Sequence, residues 1–145
     1  MRYAPLFLWI GVIFYLSSNS GSMEETSRFI GPLLHYLFPA TPEEILQIYH
    51  GYIRKAAHLT EYAILAFLAF RVFSSSSIAK YILPIVLVAA IAMMDEFNQS
   101  FEASRTSSGW DVLLDIAGGA AMILILWLFQ RPRRGGRMYR PFNRS

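Results

Sequence analysis

No cysteine occurs in this chain of 145 residues, so neither a disulfide framework nor a thiolate metal site can be built. Charge is scarce too, at 16% of residues against 54% hydrophobic. Acidic residues are missing altogether from 62–94 and from 116–145. Apolar runs exist but are short. A bilayer core takes about 20 residues of helix, and the runs at 4–16, 56–73, 82–94 and 112–129 must borrow from their flanks to reach that. Four runs with few polar interruptions still read as a polytopic membrane protein, and this length leaves room for one domain over 1–145. No internal repeat is visible, which argues against a transporter of the usual size.

Met1-Arg2-Tyr3 and the run at 4–16 have the form of a secretory signal, with small residues Ser18-Asn19-Ser20 at a cleavage spacing. An uncleaved helix is the better expectation, because the later runs need a partner to enclose their polar groups. Residues 19–52 form a long outer connection. Ser22-Met23-Glu24-Glu25 and Thr41-Pro42-Glu43-Glu44 both have capping-box spacing, the second with proline at the first helical position. After the first, Phe29, Ile30, Leu33, Leu34 and Leu37 recur at helical spacing and predict a short helix on the membrane surface, kinked at Gly31-Pro32. After the second, Ile45, Leu46, Ile48 and Tyr49 lead to Gly51, and then into a second membrane helix over about 53–73. A third begins near 78 and passes Met94; a fourth follows Trp110 to Phe129. Within the fourth, Gly118-Gly119-Ala120-Ala121 offers a flat patch for close helix packing. The expected fold class is all-α: a four-helix transmembrane bundle with a short surface helical segment between helices one and two.

Basic residues near helix ends set orientation. With the amino terminus inside, the inner segments carry Arg2, Arg71, Lys80 and six arginines of the tail at 131–145, whereas the outer segments carry Arg28, Arg54, Lys55 and Arg105. Every acidic residue also falls on the outer side. Both termini are expected in the cytoplasm. The arginine tail has a composition suited to nucleic acid, but beside a membrane helix it is expected to meet anionic headgroups instead. Membrane lipids are therefore the expected partners, with no nucleic acid.

Polar residues gather where three helices meet the outer surface. At 100° per residue, Lys55, His58, Glu61 and Tyr62 share one arc at the start of the second helix, while Arg54 reads as a helix-end residue snorkelling to the headgroups. The third helix ends with Asp95 or Glu96 on one face with Gln99, and the fourth begins with Asp111 and Asp115 one turn apart. Arg105 lies in the loop between them. Counting at 1.5 Å per residue puts Glu61 on the order of 10 Å below the outer boundary. Polar groups at that depth need each other or water, so one cavity open to the outside is the economical arrangement. Five acids there (Glu61, Asp95, Glu96, Asp111, Asp115) exceed the two bases Lys55 and Arg105 by three. Such crowding raises carboxyl pKa values, requires a cation, or both. Asp115, one turn deeper than Asp111, is expected either to carry a proton or to pair with Lys55 or Arg105.

The order Lys55-x-x-His58-x-x-Glu61-Tyr62, Asp95-Glu96-x-x-Gln99-x-Phe101, Arg105, then Gly109-x-Asp111-Val112 before Gly118 resembles the VanZ-like family. That family is named for an accessory protein of teicoplanin (glycopeptide) resistance in bacteria. The resemblance covers a motif-bearing core of about 50–120. Two departures stand out: the family usually has asparagine where this chain has Asp115, and Glu102-Ala103-Ser104 replaces the usual residues before Arg105. The resemblance implies a bacterial inner-membrane protein linked to the cell envelope and supplies no reaction.

Three readings of function follow. One is an enzyme acting at the outer leaflet on a lipid-linked or headgroup substrate. His58 or Glu61 is then the general base and the other its orienter, Asp95 or Glu96 is a second carboxylate or metal ligand, and Arg105 and Lys55 hold a phosphate or carboxylate. Tyr62, Gln99, Asp111 and Asp115 complete the substrate-facing set. His58 and Glu61 with Asp95, Glu96 or Asp111 would also suit a divalent ion; no cofactor is otherwise indicated. The second reading is a binding, shielding or transport protein for an envelope lipid or precursor, in which a homodimer would double the bundle. The third, a structural subunit, leaves the acidic excess unexplained.

Overall fold

The computed structural model describes residues 2–18, 23–73, 77–101 and 109–130, with the side chains of 23–27 left aside. Five helices account for them: α1 (Ala4–Ser17), α2 (Met23–Leu37), α3 (Glu43–Val72), α4 (Ala79–Gln99) and α5 (Gly109–Gln130). No strand occurs among the described residues.

The segment that leads through Gly51 is continuous with the second membrane helix. It runs straight into that helix, so α3 is a single helix of 30 residues, about 45 Å long. Its N-cap is Pro42, with no side-chain cap, so the expected capping box at Thr41 is not formed. Gly51 is no obstacle, because a Cβ built there meets nothing within 4 Å. Gly51→Ala should accordingly stabilise the protein by about 0.5–1 kcal/mol, the usual gain for alanine in a helix interior. A lower melting temperature in detergent would show that the helix is not continuous there. Pro32 sits inside α2, which continues past it to Leu37. The Ser22 cap lies outside the described residues.

α2 packs on the first turns of α3, where Leu34, Leu46 and His50 are buried. Exposed His35 and Glu43 join the two helices with a 2.9 Å ion pair. The main core lies further along α3. Tyr62, Leu65, Ala66 and Ala69 are fully buried there against Val88, Ile91 and Ala92 of α4, Ile123 of α5 and Leu6 and Ile13 of α1. The most extensive helix contact joins α3 to α5. Gly118 makes it possible, since a Cβ there would fall on the Leu59 carbonyl oxygen. A Cβ on Gly119 would come within 2.9 Å of Val88 Cγ1 on α4. The flat patch is therefore these two glycines, with Ala121 already exposed.

α4 and α5 are long and apolar enough to cross a bilayer. The last 18 residues of α3 carry Lys55, Glu61 and Arg71, and the 14 residues of α1 reach only about 21 Å. On length and apolar character, two of the four expected spans are met.

Candidate functional site

Two polar clusters and a cavity lie together near the C-terminal ends of α1 and α4, beside the middle of α3 and the first turns of α5. α1 is keyed to α3 by one bond, in which Trp9 Nε1 donates to the Glu61 backbone carbonyl at 3.0 Å. Eight residues further on, Ser17 is buried, and its Oγ accepts from Gln99 Nε2 at 2.7 Å. The same Gln99 nitrogen donates to Asp95 Oδ2 at 2.9 Å, and Tyr62 Oη donates to that oxygen at 3.3 Å. Asp95 is only 2% exposed, and its other oxygen, Oδ1, has no hydrogen-bond partner. Gln99 and Asp95 are one helical turn apart, so both project onto the same side of α4. The cluster thus links α3 to α4 through one carboxyl oxygen and α4 to α1 through the Gln99 amide nitrogen.

The second cluster joins α3 to α5. His58 Nδ1 faces Asp115 Oδ1 at 3.4 Å, close enough for an ion pair but not aligned for a hydrogen bond. Asp115 is 3% exposed. It precedes Gly118 by one turn, as His58 directly precedes Leu59. The glycine contact that brings the two backbones together therefore also sets the distance across this pair. Of the two basic partners expected for Asp115, Lys55 is exposed and Arg105 lies outside the described residues. Among the described residues its partner is His58.

The cavity has a volume of about 120 Å³ and is lined by Arg54, His58 and Glu61 of α3, by Leu16 and Ser17 of α1 and by Ile30 of α2, among others. Arg54, His58 and Glu61 recur at intervals of four and three residues, so α3 turns all three to one side. The helix-end role expected of Arg54 and the cavity role expected of Lys55 are thus exchanged: Arg54 is half-buried at the cavity and Lys55 is exposed. The ambiguity between Asp95 and Glu96 is resolved in favour of Asp95 as the partner of Gln99, with Glu96 half-buried beside it. Asp111 is half-buried one turn before Asp115, and Phe101 is exposed. Among the described residues no three His, Asp or Glu side chains come close enough to hold a metal ion.

Sequence reasoning missed Trp9, Ser17 and the place of Arg54. The four- and three-residue spacing of Arg54, His58 and Glu61 was the available signal for the last. Nothing in an apolar run marks which of its serines or tryptophans will meet a neighbouring helix.

A family model for VanZ/LLP1 matches residues 3–130, which takes in all five helices and every residue of the site. No curated protein and no solved structure matches the chain. With nearly its whole length covered, including the His58–Glu61–Tyr62, Asp95–Gln99 and Asp111–Gly118 positions, the chain belongs to the VanZ/LLP1 family.

Proposed function

We propose that this is a bacterial cell-envelope protein of the inner membrane that acts on the headgroup of a lipid or lipid-linked precursor and so contributes to glycopeptide tolerance. In this reading α1, α3, α4 and α5 cross the bilayer, α2 lies on its outer surface and both termini face the cytoplasm. The cavity then opens outward. The observation that carries the reading is that His58 lines the cavity while its Nδ1 faces buried Asp115 at 3.4 Å. A carboxylate at one ring nitrogen fixes the orientation of an imidazole and leaves the other nitrogen for a ligand. His58 is then the proton carrier, Asp115 its orienter, and Glu61 a second carboxylate within the same cavity. Tyr62, Asp95 and Gln99 stand behind these residues and hold the helices in register. A non-enzymatic binding or shielding role is the second reading, favoured by Arg54 and Glu61, whose half-buried charges have no ion-pair partner among the described residues.

His58→Ala and Glu61→Gln separate the two readings. Teicoplanin susceptibility would be scored alongside the amount of folded protein recovered from membranes. The catalytic reading expects both variants to behave like a strain lacking the protein, with folded protein undiminished. Wild-type tolerance in His58→Ala together with its loss in Glu61→Gln would transfer the function to binding alone. Wild-type tolerance in both would remove the cavity from the function.

Topology has its own test, made simple by the absence of native cysteine. Single cysteines at Ser22 and Ser107 should react with an impermeant thiol reagent in intact cells, and one at Ser76 should not. Labelling at Ser76 alone would invert the topology.

A further inference from the structure

We infer that the cavity takes a zwitterion, with an oxyanion such as phosphate at Arg54 and Ser17 and a primary ammonium at Glu61, the chemistry of a phosphoethanolamine headgroup. This rests on the headgroup reading above and adds the charge pattern of the ligand. Arg54 and Glu61 line the same cavity, and neither has an ion-pair partner among the described residues. They do not neutralise each other directly. Side chains that pair along a helix are three or four residues apart, and these two are seven apart, about 10 Å along the axis. Between them on α3 lies His58, whose Nδ1 faces Asp115, and the rest of the wall includes Leu16, Ile30 and Ile53. Opposite charges left apart in partly apolar surroundings are costly unless something bridges them. A ligand that is anionic only would satisfy Arg54 and be repelled by Glu61; a cation would do the reverse. A molecule with both charges, set apart by a short linker, satisfies both.

Ser17 decides which end goes where. Trp9 ties α1 to α3 at Glu61, and Ser17 lies eight residues, about 12 Å, further along α1. In the proposed topology α1 and α3 run in opposite directions, which brings Ser17 to the level of Arg54 on the wall they share. Its Oγ accepts from Gln99, and its own hydroxyl hydrogen has no acceptor among the described residues, although Ser17 is a wall of the cavity. A hydroxyl donor beside a guanidinium fork is a site for phosphate or carboxylate oxygens. Glu61, an acceptor, is left for N–H groups. No Phe, Tyr or Trp is among the described lining residues, so the aromatic surroundings that hold a quaternary ammonium are lacking among them. A primary amine is the ammonium that fits. The volume of about 120 Å³ suits a head of this size and leaves acyl chains outside.

The test is thermal stabilisation of the detergent-purified full chain by four probes at equal concentration. These are short-chain phosphatidylethanolamine, phosphatidylcholine and phosphatidylglycerol, and free phosphoethanolamine. Binding to the folded state raises the melting temperature according to concentration over Kd. The ethanolamine lipid should bind about tenfold more tightly than the choline and glycerol lipids, a difference of about 1.4 kcal/mol. Equal stabilisation by the glycerol lipid would overturn the zwitterion and leave the headgroup reading standing. Equal stabilisation by the choline lipid would overturn the ammonium contact at Glu61. Stabilisation by free phosphoethanolamine as strong as by its lipid would support the charge pattern and make the ligand a soluble zwitterion. No effect from any probe would overturn the inference and the headgroup reading together. Glu61→Gln should abolish the preference for ethanolamine over glycerol, and Arg54→Gln should weaken both lipids about tenfold. Unchanged binding in either variant would refute the assignment of that residue.

Discussion

Gly118→Ala is expected to lower the melting temperature of the purified protein further than any other single methyl addition, and Gly118→Leu to prevent folding. The added Cβ would fall on the Leu59 carbonyl oxygen, a backbone atom of α3 that cannot rotate away. Forcing extra atoms into a packed interior costs about 1–3 kcal/mol, more when nothing yields. The upper end applies here because the only relief is to push α5 off α3, the most extensive contact in the fold. Total stabilities are on the order of 5–15 kcal/mol, so the loss is a sizeable share. Gly119→Ala is the internal control. Its Cβ would come within 2.9 Å of Val88 Cγ1, a side-chain atom that gives way by a small turn of the valine, and about 1 kcal/mol is expected. Separating α5 from α3 also pulls Asp115 from His58, so Gly118→Ala should lose tolerance beyond what its reduced abundance explains. A wild-type melting temperature for Gly118→Ala would disprove the close approach.

The second large effect belongs to Asp95. Its Oδ2 accepts from both Tyr62 and Gln99, and the residue is 2% exposed. Asp95→Ala leaves two buried donors short of an acceptor, each costing about 1–3 kcal/mol, and opens a small void as well. The expected sum is about 3–5 kcal/mol. Tyr62→Phe removes one donor and should cost about 1 kcal/mol. Once Asp95 is alanine, that second change has less left to lose, so the double variant should be more stable than the two single effects predict. Coupling of 0.5–3 kcal/mol is usual for groups in one network. Strict additivity in thermal or denaturant melts would mean that Tyr62 and Asp95 do not share a bond. Asp95→Asn keeps an oxygen at the doubly bonded position, places its amide at the unpartnered Oδ1 site and should fall well short of the alanine loss.

The helices themselves were legible because apolar periodicity and length suffice to find them. What was not legible was phase and continuity. Asp95 and Glu96 are adjacent, 100° apart on α4, and either faces the bundle until a neighbour fixes the helix rotation. Tyr62 and Ser17 provide that neighbour. Arg54 and Lys55 pose the same question on α3, and reading the arc from Lys55 instead of Arg54 placed the wrong base at the cavity. The capping signal at Thr41 marked a segment leading to Gly51, but not its fusion with the helix expected over about 53–73 into one rod. Nothing packs near Gly51 to exploit a bend, and helix propagation continues through it. Glu61 and His58 were identifiable as polar groups in an apolar run, but the pairing of His58 with Asp115 depends on the Gly118 contact, a distance no local pattern records.

The order of the buried pairs along the chain bears on how the protein is made. Ser17, His58 and Tyr62 come before Asp95, Gln99 and Asp115, so on every cross-helix contact of the two clusters the carboxyl or carboxamide partner is synthesised second. Ribosomes deliver the amino-terminal helices first. When α4 emerges, the tyrosine that will meet Asp95 is already in place, and when α5 emerges, the histidine that will face Asp115 is waiting. In the proposed topology, neither acid has to sit in lipid without a companion while the rest of the chain is still being translated. A gene rearranged so that α4 and α5 are translated ahead of α1–α3 would encode the same contacts and lose that protection, leaving both acids to the quality-control proteases of the membrane.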